Sequence, residues 1–177
     1  MGKFVRLAPV YQTPKSINDK FRALPEIDWT GKRVIDIGCN SGILNLILEA
    51  EGVAKYTGID VSDDYIEEAK KNFPSVDFQV GDVTNWTWGK YDIALSFSTL
   101  HILDDIDFEK ALKNISENCH ELYFEVPTEG VSSLYYTRSV EENVLRARKY
   151  FRKARLIGDS PSPHDPNSRR KIFRCVS

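Results

Sequence analysis

Three short stretches combine residue types and spacing that can do chemistry. The first is Asp36-Ile37-Gly38-Cys39-Asn40-Ser41-Gly42. Gly38 and Gly42 allow a tight turn and let the backbone approach a ligand that a Cβ would push away, and Asn40 or Ser41 can cap a helix that follows. The second is Asp60, eighteen residues past Gly42; a carboxylate at the end of a second strand can accept both hydroxyls of a ribose. The third is Gly81-Asp82-Val83, where Asp82 can accept from an adenine amino group and Val83 can pack on the ring. Ribose and adenine together imply an adenosyl cofactor. A dinucleotide fingerprint, G-x-G-x-x-G, is broken at Asn40 and Ile43, so pyrophosphate recognition is poorly supported. The one Tyr-x-x-x-Lys pair, Tyr11 and Lys15, precedes the first strand, and there is no G-x-x-x-x-G-K phosphate loop.

Those stretches need elements that carry them to one place. Arg33–Ile37 reads as a buried strand, short and β-branched and ended by Gly38. Ile43–Ala50 is apolar all round, as a helix packed on a sheet should be. Lys55–Asp60 is a second strand, and Ser62 caps a helix with Tyr65, Ile66, Ala69 and Phe73 at helical spacing before Pro74. Val76–Val80, Tyr91–Phe97 and Leu122–Val126 are further strands, with a helix over Asp105–Glu117. Ser139 and Glu142 form a capping box for a helix over Ser139–Ala154, whose stripe is Val140, Val144, Ala147, Phe151 and Ala154. Arg155–Ile157 and Lys171–Val176 complete the set. Strand–helix alternation predicts an α/β, doubly wound and mostly parallel sheet with helices on both faces. The expected organisation is a single domain over 1–177: a core over 32–177, and a lid segment over 1–31 with a short helix near Ile17–Leu24.

In this order the motifs VIDIGCNSG, TGIDVS, VGDV, YDIALSFSTLHIL and LYFEVP resemble those of class I S-adenosylmethionine-dependent methyltransferases, across about residues 32–127. One departure is Asn40, where the commonest form has glycine. The resemblance implies a seven-stranded Rossmann-like fold, with S-adenosyl-L-methionine (SAM) as cofactor and S-adenosyl-L-homocysteine (SAH) as product. It places Asp36, Gly38, Asn40 and Gly42 around the methionine part of the cofactor, Asp60 and Val61 on the ribose, and Asp82 and Val83 on the adenine. Ser96 and Phe97 would line the base of the site.

Methyl transfer from a sulfonium is an in-line displacement whose leaving group needs no proton, so positioning carries most of the catalysis. A general base matters only for a poorly ionised acceptor. Candidates are His101, just after the fourth strand, and Glu125 at the end of the fifth, with Glu129 close by. Tyr135 and Tyr136 could wall an acceptor pocket. His164, Asp165, Arg169 and Arg170 lie in the loop leaving the sixth strand, which should run parallel and so face the site.

Composition narrows the partners. No apolar run approaches the ~18 residues of a membrane-spanning helix, and MGKFVRLAPVYQTPK lacks the apolar core of a secretory signal. Cys39, Cys119 and Cys175 form no C-x-x-C pair, and His101, His120 and His164 show no ligand spacing. A cytoplasmic protein with reduced thiols and no bound metal is expected. The net charge of −2 hides a split: residues 138–174 hold eleven Lys/Arg and four Asp/Glu, a net of +7, against −9 elsewhere. A small-molecule acceptor leads. RNA is the alternative, because the opening GKRVIDIGCNSG and the closing RLIGDSP and RKIFRC are similar to tRNA wobble-uridine methyltransferases. Phosphates would then meet Arg146, Arg148, Lys149, Arg152 and Lys153, with steep salt dependence. A non-catalytic SAM-binding accessory protein is a reading of another class, and an NAD-binding domain is the weakest.

Overall fold

A computed structural model describes residues 13–87, 89–127, 136–162 and 169–177. Its helices are α1 (Pro14–Arg22), α2 (Leu44–Ala50), α3 (Asp63–Asn72), α4 (Asp105–Asn118) and α5 (Val140–Ala147), and a one-turn 3-10 helix covers Leu100–Ile102. The strands are β1 (Arg33–Ile37), β2 (Lys55–Asp60), β3 (Asp77–Val80), β4 (Tyr91–Phe97), β5 (Cys119–Pro127), β6 (Lys153–Pro161) and β7 (Arg169–Val176). They form one seven-stranded sheet in the order β3-β2-β1-β4-β5-β7-β6. Neighbours from β3 to β5 are parallel, and β7 runs antiparallel to both β5 and β6. Strand β6 therefore points the same way as β5, as expected. Among the described residues no helix is long and apolar enough to cross a membrane.

Alternation along the strands divides the core between two faces. Ile35, Ile37, Leu122, Phe124 and Phe173 meet Phe108, Ala111, Leu112 and Ile115 of α4 on one face. Val34, Ile93, Leu95, Phe97 and Tyr123 meet Leu44, Leu48 and Ile66 on the other. The α4 set recurs at helical spacing, and each such side chain withdrawn from water stabilises by roughly 1.5–3 kcal/mol. Asp36 and Glu125 break this pattern as acidic groups buried at 5% and 0% exposure.

The helix expected over Ser139–Ala154 stops at Ala147. Its capping box is present, with Ser139 Oγ accepting from the Glu142 amide at 3.1 Å and Glu142 accepting from the Ser139 amide at 2.8 Å. The amides of Tyr150 and Phe151 then turn back to the Ala147 carbonyl. Ala154 is buried instead as a strand residue opposite Cys175. A stripe of helical period can thus be satisfied by a turn and a strand. The first helix begins earlier than expected because Thr13 caps it and Pro14 takes its first turn.

Candidate functional site

The carboxyl ends of β1, β2 and β4 meet in a cleft whose floor is the turn from β1 to α2. Gly38, Asn40 and Gly42 all have left-handed backbones there, with φ of 77°, 52° and 80°. The amides of Gly38 and Cys39 bond the Ile59 carbonyl at 2.8 and 3.0 Å. Asp60 finishes the tie: Oδ2 accepts from the Asn40 amide at 3.1 Å and Oδ1 from the Ser62 amide at 3.0 Å. Asn40 and Ser41 do not cap α2, as they were expected to. Ile43 holds the cap position, and Asn40 Oδ1 accepts from the neighbouring Ser41 amide at 2.6 Å. The two glycines also differ from expectation in what they make room for. A Cβ on Gly38 would strike the Thr99 side chain, and one on Gly42 the Phe78 ring. Internal packing, and not only a ligand, requires them.

A cavity of about 40 Å³ lies above this turn, lined by Ile17, Lys20, Asp36, Gly38, Asn40 and Phe97 among others. Asp36 is 5% exposed and accepts from Tyr56 OH at 2.7 Å. Burial pushes its carboxyl up to about 7 against the opposing Tyr56 hydrogen bond, with the Asp60 charge adding to the rise and Lys20 opposing it. Asp60 is also raised by burial, in part offset by the backbone N–H groups of Ser62, Asn40 and Val61. Beyond Asp60, the Gly81 amide bonds its carbonyl at 2.9 Å, which sets the β3 end alongside. Val83 is buried, whereas Val61 is 50% exposed. Asp82 is exposed, with Oδ1 accepting from the amide and hydroxyl of Thr84, both at 2.8 Å. Ser96 does not line the cavity as expected. It is fully buried within β4 opposite Phe124, and Ser98 takes the lining position.

The acceptor-side candidates fare differently. Glu125 is fully enclosed: its Oε1 accepts from Ser160 Oγ at 2.8 Å and lies 2.9 Å from Arg170 Nε, and its Oε2 accepts from Ser98 Oγ at 3.0 Å. Burial pushes its pKa up, but the charges of Lys20 and Arg170 with the two serine hydrogen bonds more than reverse this and hold it at about 2. Such a carboxylate is a structural anion, not the proton acceptor expected of it. His101 is 1% exposed in the 3-10 turn. Burial first, and then the Arg170 charge, keep its imidazole well below the ordinary histidine pKa, so it is neutral. Its carbonyl accepts from the Tyr136 amide at 3.1 Å, and Tyr136 stands 52% exposed. Arg169 is exposed and donates to Asp159 at 2.6 Å, while Arg170 beside it points inward. Tyr135, Glu129, His164 and Asp165 lie outside the described residues.

Among the lining residues missed from sequence are Lys20 and Ser98. Lys20, 1% exposed, donates to Ser98 Oγ at 2.6 Å. Its signal was present, since Lys20 falls three residues after Ile17 on the stripe continued by Phe21 and Leu24. Ser98 has no comparable signal; only its left-handed φ of 60° distinguishes it, and that is a property of the folded chain.

Part of the basic segment is neutralised from elsewhere in the fold. Arg138 pairs with Asp105 at 2.9 Å, Arg146 with Asp105 and Glu109 at 2.6 and 2.7 Å, and Lys149 with Glu109 at 2.7 Å. Arg174 grips Glu121 through two bonds of 2.9 Å. The +7 of this stretch is reduced in the fold, because α4 and β5 lay Asp105, Glu109, Glu121 and Glu125 against it.

Comparison with known proteins returns the same architecture. Residues 34–121 match the family described as methyltransferase domain. Over 125 residues, 65% of this chain, it is 30% identical to the magnesium-protoporphyrin O-methyltransferase of Rhodobacter capsulatus, and it spans 55% of that relative's length. The crystal structure of magnesium protoporphyrin IX methyltransferase from Synechocystis with bound SAH superposes with a TM-score of 0.70, at 14% identity, over 95% of this chain and 82% of that one. An S-adenosylmethionine-dependent methyltransferase from Mesorhizobium loti gives 0.70 at 13% identity, covering 95% of this chain and all of the other. At these identities the structural likenesses establish the fold.

Proposed function

The chain belongs to the methyltransferase domain family, and from that premise we propose that it transfers a methyl group from SAM to an oxygen or nitrogen of a small-molecule acceptor. The observation that carries this reading is the position of Asp60. Its carboxylate is fixed at the end of β2 by two backbone amides from different turns, and each oxygen keeps a second lone-pair direction for a ribose hydroxyl. Asp36, a buried carboxyl held near neutrality, fits the ammonium of the methionine part. Val61 offers an exposed apolar surface next to Asp60, and Val83 a buried one after β3; both suit the faces of an adenine, with Asp82 at its amino group.

When bound, SAM supplies a methyl group on a sulfonium, which leaves without protonation. The chain's task is then to hold an acceptor in line and to exclude water, and such positioning can supply ~7–11 kcal/mol. His101 is held neutral by burial and the Arg170 charge, and Glu125 is an anchored carboxylate of the same interior. Tyr136 gives the acceptor side an exposed aromatic face. A small acceptor is favoured over RNA because two of the five residues expected to meet phosphates, Arg146 and Lys149, are engaged by Asp105 and Glu109.

The test is transfer of radiolabelled methyl from SAM into a cell extract separated into RNA, protein and small-molecule fractions, after SAH binding has been measured by calorimetry. Label in the small-molecule fraction supports the reading. Nuclease-sensitive label in RNA would replace its acceptor, and SAH binding without label in any fraction would favour the accessory-protein alternative.

A further inference from the structure

Helix α1 is docked on the cleft by an uncommon anchor. Its one fully buried side chain is Lys20, whereas Ile17, Phe21 and Leu24 on the same stripe are only partly buried. A nine-residue helix is marginal in water by itself, so its docking contacts decide whether it stays. The innermost of them is polar. Lys20 Nζ donates to Ser98 Oγ at 2.6 Å and stands 3.7 Å from Glu125 Oε2, to which Ser98 Oγ donates at 3.0 Å. Ser98 presents its hydroxyl there from a left-handed backbone, φ 60°, a conformation that costs a serine energy and persists only where the surroundings enforce it.

The same helix covers the place where a cofactor would go. Ile17 and Lys20 wall the cavity that also touches Asp36, Gly38 and Asn40, and its volume is about 40 Å³. That is far below the ~300–1,000 Å³ of ordinary small-ligand pockets, too little for a methionine chain while α1 stays in place. Entry between Asp36 and Phe97 therefore requires α1 to move.

We propose that Lys20 is a reversible latch: its ammonium, seated on Ser98 and Glu125, holds α1 closed over the cleft, and its release admits the cofactor. This rests on the methyltransferase reading above. The choice of lysine follows from the energetics of opening. A departing apolar anchor would expose its surface to water without compensation, whereas a departing ammonium recovers its full hydration. When the latch opens Glu125 gives up the Lys20 charge but keeps Ser160 and Arg170 on Oε1 at 2.8 and 2.9 Å and Ser98 on Oε2 at 3.0 Å. An ionic seat thus keeps the lid shut and makes its opening affordable.

The test compares the wild type with Lys20→Ala and Ser98→Gly by hydrogen exchange of the α1 amides and by stopped-flow association of SAH. Glycine suits the left-handed backbone at position 98, so that variant removes the hydroxyl while easing the fold. Both variants are expected to speed α1 exchange by roughly tenfold or more, the effect of losing one hydrogen bond to a charged group, and to speed SAH association in parallel. Unchanged α1 exchange in both variants overturns the latch, and so does faster exchange with unchanged association. If the wild type takes up no SAH, the methyltransferase reading fails and the gate fails with it. Fast α1 exchange in the variants would then identify the cofactor assignment, and not the seat of Lys20, as the error.

Discussion

The Thr99 side chain occupies the position that a Cβ on Gly38 would need. Thr99 follows β4 and Gly38 follows β1, so the contact clamps two adjacent strand ends at the mouth of the cleft. Gly38 is therefore constrained twice, by its φ of 77° and by its neighbour.

Gly38→Ala is expected to cost about 2–4 kcal/mol, combining ~1–2 for the left-handed backbone with ~1–3 for overpacking. Adding Thr99→Ala should recover the second part. Urea unfolding of the single and double variants measures both; no recovery in the double variant would assign the whole cost to the backbone.

Asp60→Asn keeps the shape of residue 60 but sets an amide NH₂ against the Asn40 or Ser62 N–H. SAH affinity should fall by roughly tenfold or more, as one charge-assisted hydrogen bond is lost. Calorimetry showing wild-type affinity would remove Asp60 from the ribose.

Asp36 ties stability and binding to pH. Its folded pKa is raised from 3.8 to about 7, so the folded state holds a proton that the unfolded chain releases. The stability this confers is full below pH 3.8, declines as pH rises through about 7, and is flat above. Asp36→Asn should abolish the decline, a difference of a few kcal/mol at neutral pH. If the ionised carboxylate receives the cofactor's ammonium, SAH affinity of the wild type should weaken as pH falls below about 7. Unfolding and titration series at several pH values measure the two effects separately.

Glu125 has the opposite sign. Its pKa falls from 4.5 to about 2 on folding, so its contribution is complete above pH 4.5 and is lost as pH drops through about 2. Glu125→Gln should flatten that acid limb while leaving Lys20 and Arg170 less compensated at neutral pH, costing roughly 3–5 kcal/mol as for a broken buried ion pair.

His101 is held neutral, so the pH–rate profile should show no histidine inflection over about pH 5–8, the range in which an ordinary imidazole titrates. An inflection there that disappears in His101→Gln would mean that the imidazole charges during turnover.

Much of the fold was legible because its signals are local. The β-branched run at Arg33–Ile37, the Ser62 cap and the Ser139–Glu142 capping box each report on their own element, and all three recur in the structure. What could not be read depends on partners distant in sequence. Nothing near Glu125 indicates that Lys20, Ser98, Ser160 and Arg170 converge on it, so an acid at a strand end looked like a base. Arg146 looked available for phosphate because Asp105 and Glu109 precede it by some forty residues. The helix expected to reach Ala154 ends early because Cys175 pairs with that residue in the sheet.

Strand β7 lies between β5 and β6 and is the last of the three in sequence. During synthesis β5 and β6 emerge before β7, and the gap between their edges closes when Arg169–Val176 arrives. Until then both edges expose backbone donors and acceptors to other chains. The late pairing, seven residues of β7 against β5 and eight against β6, makes the period before β7 joins the one most open to aggregation.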